Sequence, residues 1–400
     1  MREIRFGIIG CGFVADYYMA TLANYPHVRI ERAYDRNPAN AERYSAHWGV
    51  PSVADEDAFY DGLDVDAVLN LTNPSSHYEV SRTALERGYA VYSEKPIAMD
   101  VDEVLDLRDL AFDKDLPLAS APCNHLSEAF ATLRSGIAAG HIGRPLLAYA
   151  EMDGNFIARS PFQDWVNPSG APWPYEDEFA VGCTLEHAGY YLTWLIALFG
   201  SVTEVHAYGS LRYPGKPVDD DAAEAPDFTV ACLEFANGMS ARLTCGVVAP
   251  SDHQFRIFGD EGVMHVEDSW FYDTPVKYKR WLQVRRKFML TPWFTTLKPT
   301  PPPFELPKTG SAQMDFIRGP VEMVTAAREG RESRVPLDFS VHFNEVSLAI
   351  HTAHERRAVY QVRSRVDDLA PVEVAGGERS SVLEDRIIPV AEKLIGIVRR

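Results

Sequence analysis

The first residues able to do chemistry are Gly10, Gly12 and Ala15, in the stretch Gly10-Cys11-Gly12-Phe13-Val14-Ala15. They follow an apolar run, Ile4 to Ile9, and open a run that reads as helix to about Ala23. A second apolar run, Val28 to Tyr34, ends in Asp35. A dinucleotide site has a physical use for each part. Gly10 permits the tight turn. Gly12 lets the backbone approach a pyrophosphate, and Ala15 lets the helix pack close to the strand. The helix start, with Phe13 and Val14, offers unpaired N–H groups and partial positive charge to the phosphates. Asp35 is spaced to accept hydrogen bonds from an adenosine ribose. Glycines punctuate many turns, so a plain strand–turn–helix is the alternative; the acid at the right distance favours the nucleotide. A carboxylate there repels a 2′-phosphate, which predicts NAD over NADP. Arg36 is the competing signal, because an adjacent guanidinium could bind that phosphate.

The elements that must position these residues alternate strand and helix up to residue 121. Asp66–Leu71 and Tyr89–Ser93 read as strands, Ser76–Arg87 and Val101–Asp113 as helices, and Leu116–Ala121 as a further strand. Units of this length predict a doubly wound parallel sheet, an α/β Rossmann domain over 1–121. Beyond Pro122 strand patterns follow one another with few helices between. They predict an α+β second domain over 122–362 with a mostly antiparallel, open-faced sheet. Helices are expected at about Leu185–Leu198, Met314–Arg328 and Phe339–Tyr360. Residues 270–307 form an aromatic, basic arm that runs into a Pro-rich linker. Residues 363–400 form a tail whose Ser380–Arg400 stretch reads as an amphipathic helix with a basic end.

The chain has 400 residues and a formal charge of −18, which argues against a general nucleic-acid binder. No signal peptide precedes the first strand, and no apolar run reaches the length of a membrane span. Cys11, Cys123, Cys183, Cys232 and Cys245 are odd in number and lack CxxC spacing. They read as reduced thiols, which predicts a cytoplasmic protein. His351 and His354 share a helix with Glu355, but no third ligand cluster accompanies them, so no metal is expected.

Together these pieces resemble the Gfo/Idh/MocA oxidoreductases, over roughly residues 1–360. The resemblance rests on GCGFVA at 10–15, Asp35, Asn73-Pro74 with His77, Glu94-Lys95-Pro96, Ile137–Gly143, and Gly182–Tyr191 running on to Leu198-Phe199-Gly200. It implies a nicotinamide enzyme acting on a sugar, polyol or similar carbohydrate, assembled as a homodimer or homotetramer. It also implies that Glu94, Lys95 and Pro96 border the nicotinamide, with Lys95 the catalytic group and a cis bond before Pro96. A lysine with a lowered pKa can orient a substrate hydroxyl and stabilise the developing alkoxide. Glu94 would pair with it or hold the turn.

The family's Asp-x-Gly-x-His motif is altered here. Aligned on Gly189, His187 stands for the aspartate and Tyr191 for the histidine, four apart on one helical face. Both are catalytic and substrate-binding candidates, or else part of an aromatic packing face with Tyr190, Trp194 and Leu195. The resemblance places Asn73, Pro74 and His77 at the cofactor, though His77 could simply start a helix. Asn124 would lie at the cleft mouth. Trp173 could stack on a sugar ring or pack locally. The leading expectation is an NAD-dependent dehydrogenase or reductase. The alternatives are an oxidation–elimination enzyme with no net redox turnover and a non-catalytic NAD-binding sensor.

Overall fold

The computed structural model describes residues 2–216, 225–308 and 312–366. The expected tail helix at 380–400 lies outside them. The chain opens β1 (Ile4–Ile9), α1 (Phe13–Leu22), β2 (Val28–Tyr34), α2 (Pro38–Trp48), α3 (Glu56–Tyr60) and β3 (Ala67–Asn70). It continues α4 (His77–Glu86), β4 (Val91–Ser93), α5 (Val101–Asp113) and β5 (Leu118–Ser120). These strands form one parallel sheet in the order β2-β1-β3-β4-β5. The order reverses between β1 and β3, so the loops after those strands part and leave a crevice at the sheet's carboxyl edge. All four residues of β3 are buried, as in a sheet covered on both faces.

The second part begins with α6 (Glu128–Ala138), β6 (Pro145–Asp153), α7 (Tyr175–Phe199), β7 (Val202–Ser210), β8 (Phe228–Phe235) and β9 (Ser240–Gly246). Then come β10 (Phe255–Gly259), β11 (Gly262–Val266), β12 (Lys277–Val284), β13 (Lys287–Leu290) and β14 (Thr295–Thr296). The last elements are α8 (Arg318–Glu329), α9 (Leu337–His351), α10 (Ala353–Arg356) and β15 (Tyr360–Gln361). A second sheet runs β13-β12-β11-β10-β6-β9-β8-β7-β15, and only β6 and β9 pair in parallel. One face packs on α6, α7 and α9 through Leu133, Trp194, Leu195 and Phe343. Among the described residues no helix is long and apolar enough to cross a membrane.

Three expected helices are corrected. The one expected at Leu185 starts ten residues earlier, at Tyr175, and passes through Gly182 with a non-helical φ of 77°. The one expected at Met314 starts at Arg318, because Asp315 and its neighbours form a buried loop instead. The long one expected at Phe339–Tyr360 ends at His351. A short turn of helix follows, and Arg357 at φ 50° turns the chain into β15.

The basic arm is also revised. Its first residue, Trp270, packs against the core, and 277–290 form a hairpin at the sheet edge. Three of its seven cations are engaged by neighbouring residues. Lys277 pairs with Glu267 at 2.6 Å, Arg280 with Glu261 at 2.8 Å, and Lys279 lies 4.4 Å over the Phe294 ring. Phe288, Met289, Trp293 and Phe294 remain exposed.

Elements late in the chain pack on the first sheet. Ile317, Met323 and Val324 join the core of β1 and β3. Asn344 and Ser340 of α9 accept from the Ile97 and Ser120 N–H groups, at 2.9 and 3.1 Å. That pins the turns after β4 and β5. Arg318 bridges Asp315 at 3.0 Å and Glu128 at 2.9 Å, and the Tyr25 hydroxyl donates to Asp315 at 2.6 Å. Asp315 is fully buried, so this network fixes the segment 312–316 under the cleft. Removing one partner of a buried pair strands a charge. Arg318→Met is therefore expected to lower unfolding free energy by about 3 kcal/mol or more. A urea titration showing a loss below about 1 kcal/mol, the scale of a surface pair, would refute the clamp.

Candidate functional site

A cleft of about 800 Å³ runs from the glycine loop to α7 and Trp270. Its first wall is built by the β1–α1 turn. Gly10 adopts φ +97°, and a Cβ there would lie 2.5 Å from the Leu71 carbonyl group, so only glycine lets this loop cross the end of β3. Gly12 is the N-cap of α1 and makes no side-chain cap. A Cβ on it would meet nothing within 4 Å, so the space before the helix start is open. Uncapped N–H groups facing open space suit a pyrophosphate. Phe13 and Val14 line this end, whereas Ala15 is fully buried beneath it, against the sheet.

Asp35 lines the same end with both oxygens engaged. One accepts from the Cys11 N–H at 2.8 Å and the other from the Asn37 N–H at 2.8 Å. Arg36 also lines it, as does Arg43, which sequence reasoning did not single out. Arg43 donates to the Cys11 carbonyl at 3.2 Å, a contact made from α2 that spacing does not advertise. Asn73 and Pro74 lie across the cleft, after β3. His77 is buried on the wall with its ring between the carbonyls of Pro96, at 2.6 Å, and Thr72, at 2.9 Å. It ties the loops after β3 and β4 together.

The far end holds the ionisable groups. Glu94 accepts from the Tyr18 hydroxyl at 2.7 Å and from the Lys95 N–H at 3.2 Å, so it holds the turn. The Lys95–Pro96 bond is cis, and Pro96 itself stays off the wall. The Lys95 ammonium meets Glu186 at 3.0 Å, with side-chain exposures of 15% and 18%. The expectation of a lowered lysine pKa is thereby overturned. Burial alone would lower it, but the adjacent Glu186 carboxylate raises it above the ordinary range and holds Lys95 cationic. Glu186 is the functional residue that sequence reasoning passed over. Its only signal was its place immediately before His187.

His187 lines the cleft beside Trp270, their ring centres 5.8 Å apart. Burial pushes its pKa down to about 4, so the ring is neutral, and its Nδ1 has no partner among the described residues. Gly154 makes room for it, since a Cβ there would lie 2.7 Å from the ring.

Tyr191 is a correction. It is fully buried, donates to the His253 carbonyl, and stacks on Phe255 at 5.0 Å, outside the cleft lining. Residues four apart on a helix differ by about 40° in direction. His187 sits at the edge of the exposed stripe, and that turn carries Tyr191 into the core. Glu186 and Tyr190, also four apart, both line the cleft. Asn124 is the second correction. It is buried, donates to the Ser269 carbonyl at 2.9 Å, and faces a recess of about 20 Å³ behind Lys95. That volume suits a water rather than a substrate. Trp173 packs locally, edge-on with Phe162 and Phe179, and also lines the cleft. Among the described residues no cluster of histidine, cysteine and acid could hold a metal ion. The arm's seven cations lie outside the cleft lining.

Comparison with known proteins agrees with this architecture. Residues 4–121 match the family model described as an oxidoreductase family with NAD-binding Rossmann fold, and residues 130–265 match the GFO/IDH/MocA C-terminal domain. The chain belongs to the GFO/IDH/MocA oxidoreductase family. Among curated relatives, an inositol 2-dehydrogenase of Rhizobium meliloti is 26% identical over 140 residues, 35% of this chain and 42% of that protein. A trans-1,2-dihydrobenzene-1,2-diol dehydrogenase of Mus musculus is 23% identical over 277 residues, 67% of this chain and 75% of that protein. The chain thus spans well under half the length of the inositol dehydrogenase it matches. An NAD-binding oxidoreductase from Klebsiella pneumoniae superposes with a TM-score of 0.72 at 20% identity, covering 90% of this chain and 99% of that one. The WlbA dehydrogenase from Bordetella pertussis, solved with NADH and UDP-GlcNAcA, gives 0.66 at 17% identity, covering 90% and 99%. At these identities the superpositions speak for the fold.

The placement of Tyr191 has a direct test. Tyr191→Phe loses one buried hydrogen bond, which is expected to cost about 1 kcal/mol of stability and to leave turnover within about twofold of the parent. A fall of ~10²-fold or more, the mark of a lost acid–base group, with stability intact, would return Tyr191 to the chemistry.

Proposed function

We propose that the chain is an NAD-dependent oxidoreductase acting on a hydroxyl- or keto-bearing carbon of a sugar, polyol or related carbohydrate. The observation that carries this reading is one continuous cleft, with a glycine loop suited to pyrophosphate at one end and the Lys95–Glu186 pair at the other. The glycine loop and Asp35 would hold the adenosine half; Asn73, Pro74 and His77 would flank the middle. NAD, when bound, supplies the oxidant for the substrate carbon. Lys95, kept charged, orients the substrate oxygen and stabilises negative charge developing on it. Neutral His187 would border the bound substrate as an uncharged wall beside Trp270. Trp173 offers an apolar face to a sugar ring.

Preference for NAD over NADP belongs to the same proposal. Asp35, fixed by two backbone N–H groups, presents a carboxylate that cannot swing away from a 2′-phosphate. Arg36 and Arg43 oppose it without displacing it. A reducing, cytoplasmic setting fits the five unpaired thiols. A homo-oligomer fits the exposed Phe288, Met289, Trp293 and Phe294, and light scattering that returns a monomer removes that point.

Two measurements test the reading. Lys95→Ala is expected to lose turnover by ~10²-fold or more while keeping cofactor affinity, since the lysine stands away from the adenosine half. Fluorescence titration with NADH and NADPH is expected to show tighter NADH binding, and Asp35→Ser to narrow the gap. Full turnover without Lys95 would move the chemistry elsewhere, and tighter NADPH binding would show that the arginines outweigh Asp35.

A further inference from the structure

Glu178 and Glu186 lie eight residues apart on α7. On a straight helix that spacing is about 12 Å along the axis, too far for their carboxyl groups to meet. They do come together: both line the cleft beside Lys95, near enough for each to shift the other's titration. Gly182 makes this possible. Its φ of 77° and ψ of 166° break the helix between them, and the Cys183 N–H turns to the Pro226 carbonyl at 3.1 Å. A Cβ on Gly182 would stand 2.9 Å from both the Ala225 Cβ and the Pro226 carbonyl oxygen. The kink therefore requires glycine, and its effect is to set two acids against one lysine.

We propose that Glu178 and Glu186 share one proton and work as a single relay behind Lys95, carrying the substrate hydroxyl's proton to and from the water in the cleft. The inference rests on the oxidoreductase reading above. In the oxidative direction the Lys95 ammonium passes one of its protons to the Glu186 oxygen 3.0 Å away, and the nitrogen lone pair so freed takes the proton from the breaking substrate O–H bond, so Lys95 ends the step charged. The hydrogen and electron pair on the carbon go to the oxidant. Glu186, now neutral, no longer restrains its neighbour, and Glu178 releases its proton to water. The pair is left as it began, with one proton between two carboxyl groups. Reduction runs the same steps backwards.

The surroundings support this division. Burial and the adjacent Glu186 charge push Glu178 well above the carboxylate range, the direction that favours its protonated form. Burial would raise Glu186 too, but Lys95 and the hydrogen bond from Glu178 outweigh it and hold Glu186 low. From α1, Tyr17 faces Glu178. From the turn after β4, Lys95 acts on both acids and Glu94 faces Lys95 and Glu186. On α7 itself, Asp177 faces Glu178, His187 faces Glu186, and Tyr190 faces both. His77 faces Glu186 from α4. Lys95 is the only one of these groups charged positive at neutral pH, which is why one proton must stay on the acid pair. Glu178 is thus a positioning residue acting through Lys95, not a group that touches substrate.

Infrared difference spectroscopy on the full-length protein, without cofactor or substrate, tests the shared proton. A protonated-carboxyl band is expected near neutral pH and should vanish in Glu178→Gln, with melting temperature and NADH affinity kept. The same band in the variant would overturn the pair, whatever the protein's activity proves to be. The relay is tested by pH profiles with a turned-over polyol or sugar. Glu178→Gln should lower kcat by ~10-fold or more with little change in KM and flatten the acid–base limb, and Glu178→Asp should restore the limb. A kcat profile unchanged in Glu178→Gln would overturn the relay even if the band is lost. Failure of the oxidoreductase reading shows differently, as absent cofactor binding with the band still present.

Discussion

The contact between Lys95 and Glu186 is the interaction on which the rest of the site depends. It joins a turn of the first sheet to a helix of the second part of the chain, across the cleft. Both partners are mostly buried, so each charge is tolerable only because the other is there. Every nearby feature serves to keep the pair in place. Glu94 and the Tyr18 hydroxyl hold the turn that carries Lys95. Asn344 of α9 holds the Ile97 N–H just beyond it. The Gly182 kink aims the other half of α7 at the same spot.

This arrangement changes what the lysine can do. A buried lysine alone sheds its proton easily. Here the acids outweigh burial, and Lys95 is a fixed cation. A fixed cation stabilises an alkoxide well but takes up no net proton, so proton acceptance falls to its neighbours. His187, neutral, forms an uncharged part of the cleft wall. The carboxyl groups beside Lys95 suit the proton itself. On the proposed reading the cleft divides charge stabilisation and proton exchange between different side chains.

Much of this was legible in the sequence where the chemistry is local. The glycine loop and Asp35 declare themselves because turn, close approach and ribose contact each demand a residue type at short spacing. Lys95 was legible once the resemblance placed it beside a nicotinamide. Glu186 was not, because its partner is 91 residues away and the meeting depends on a kink at a single glycine. The helix was expected only from about Leu185, beyond that kink. Tyr191 was misplaced for a related reason: spacing fixes which residues share a stripe, but not how the helix is rotated against the sheet. Asn124 was placed at the cleft mouth by chain order, yet the 269–272 loop covers it. The acids that pair two of the arm's cations, Glu261 and Glu267, flank β11 on either side, a partnership only the sheet register reveals.

The most direct test of the account is a crystal structure of the protein with NAD bound. The account predicts pyrophosphate against the backbone of Gly10–Val14, adenosine ribose on Asp35, and nicotinamide beside Lys95 with the Lys95–Glu186 contact intact. A dinucleotide lying elsewhere, or one whose entry separates Lys95 from Glu186, would contradict it.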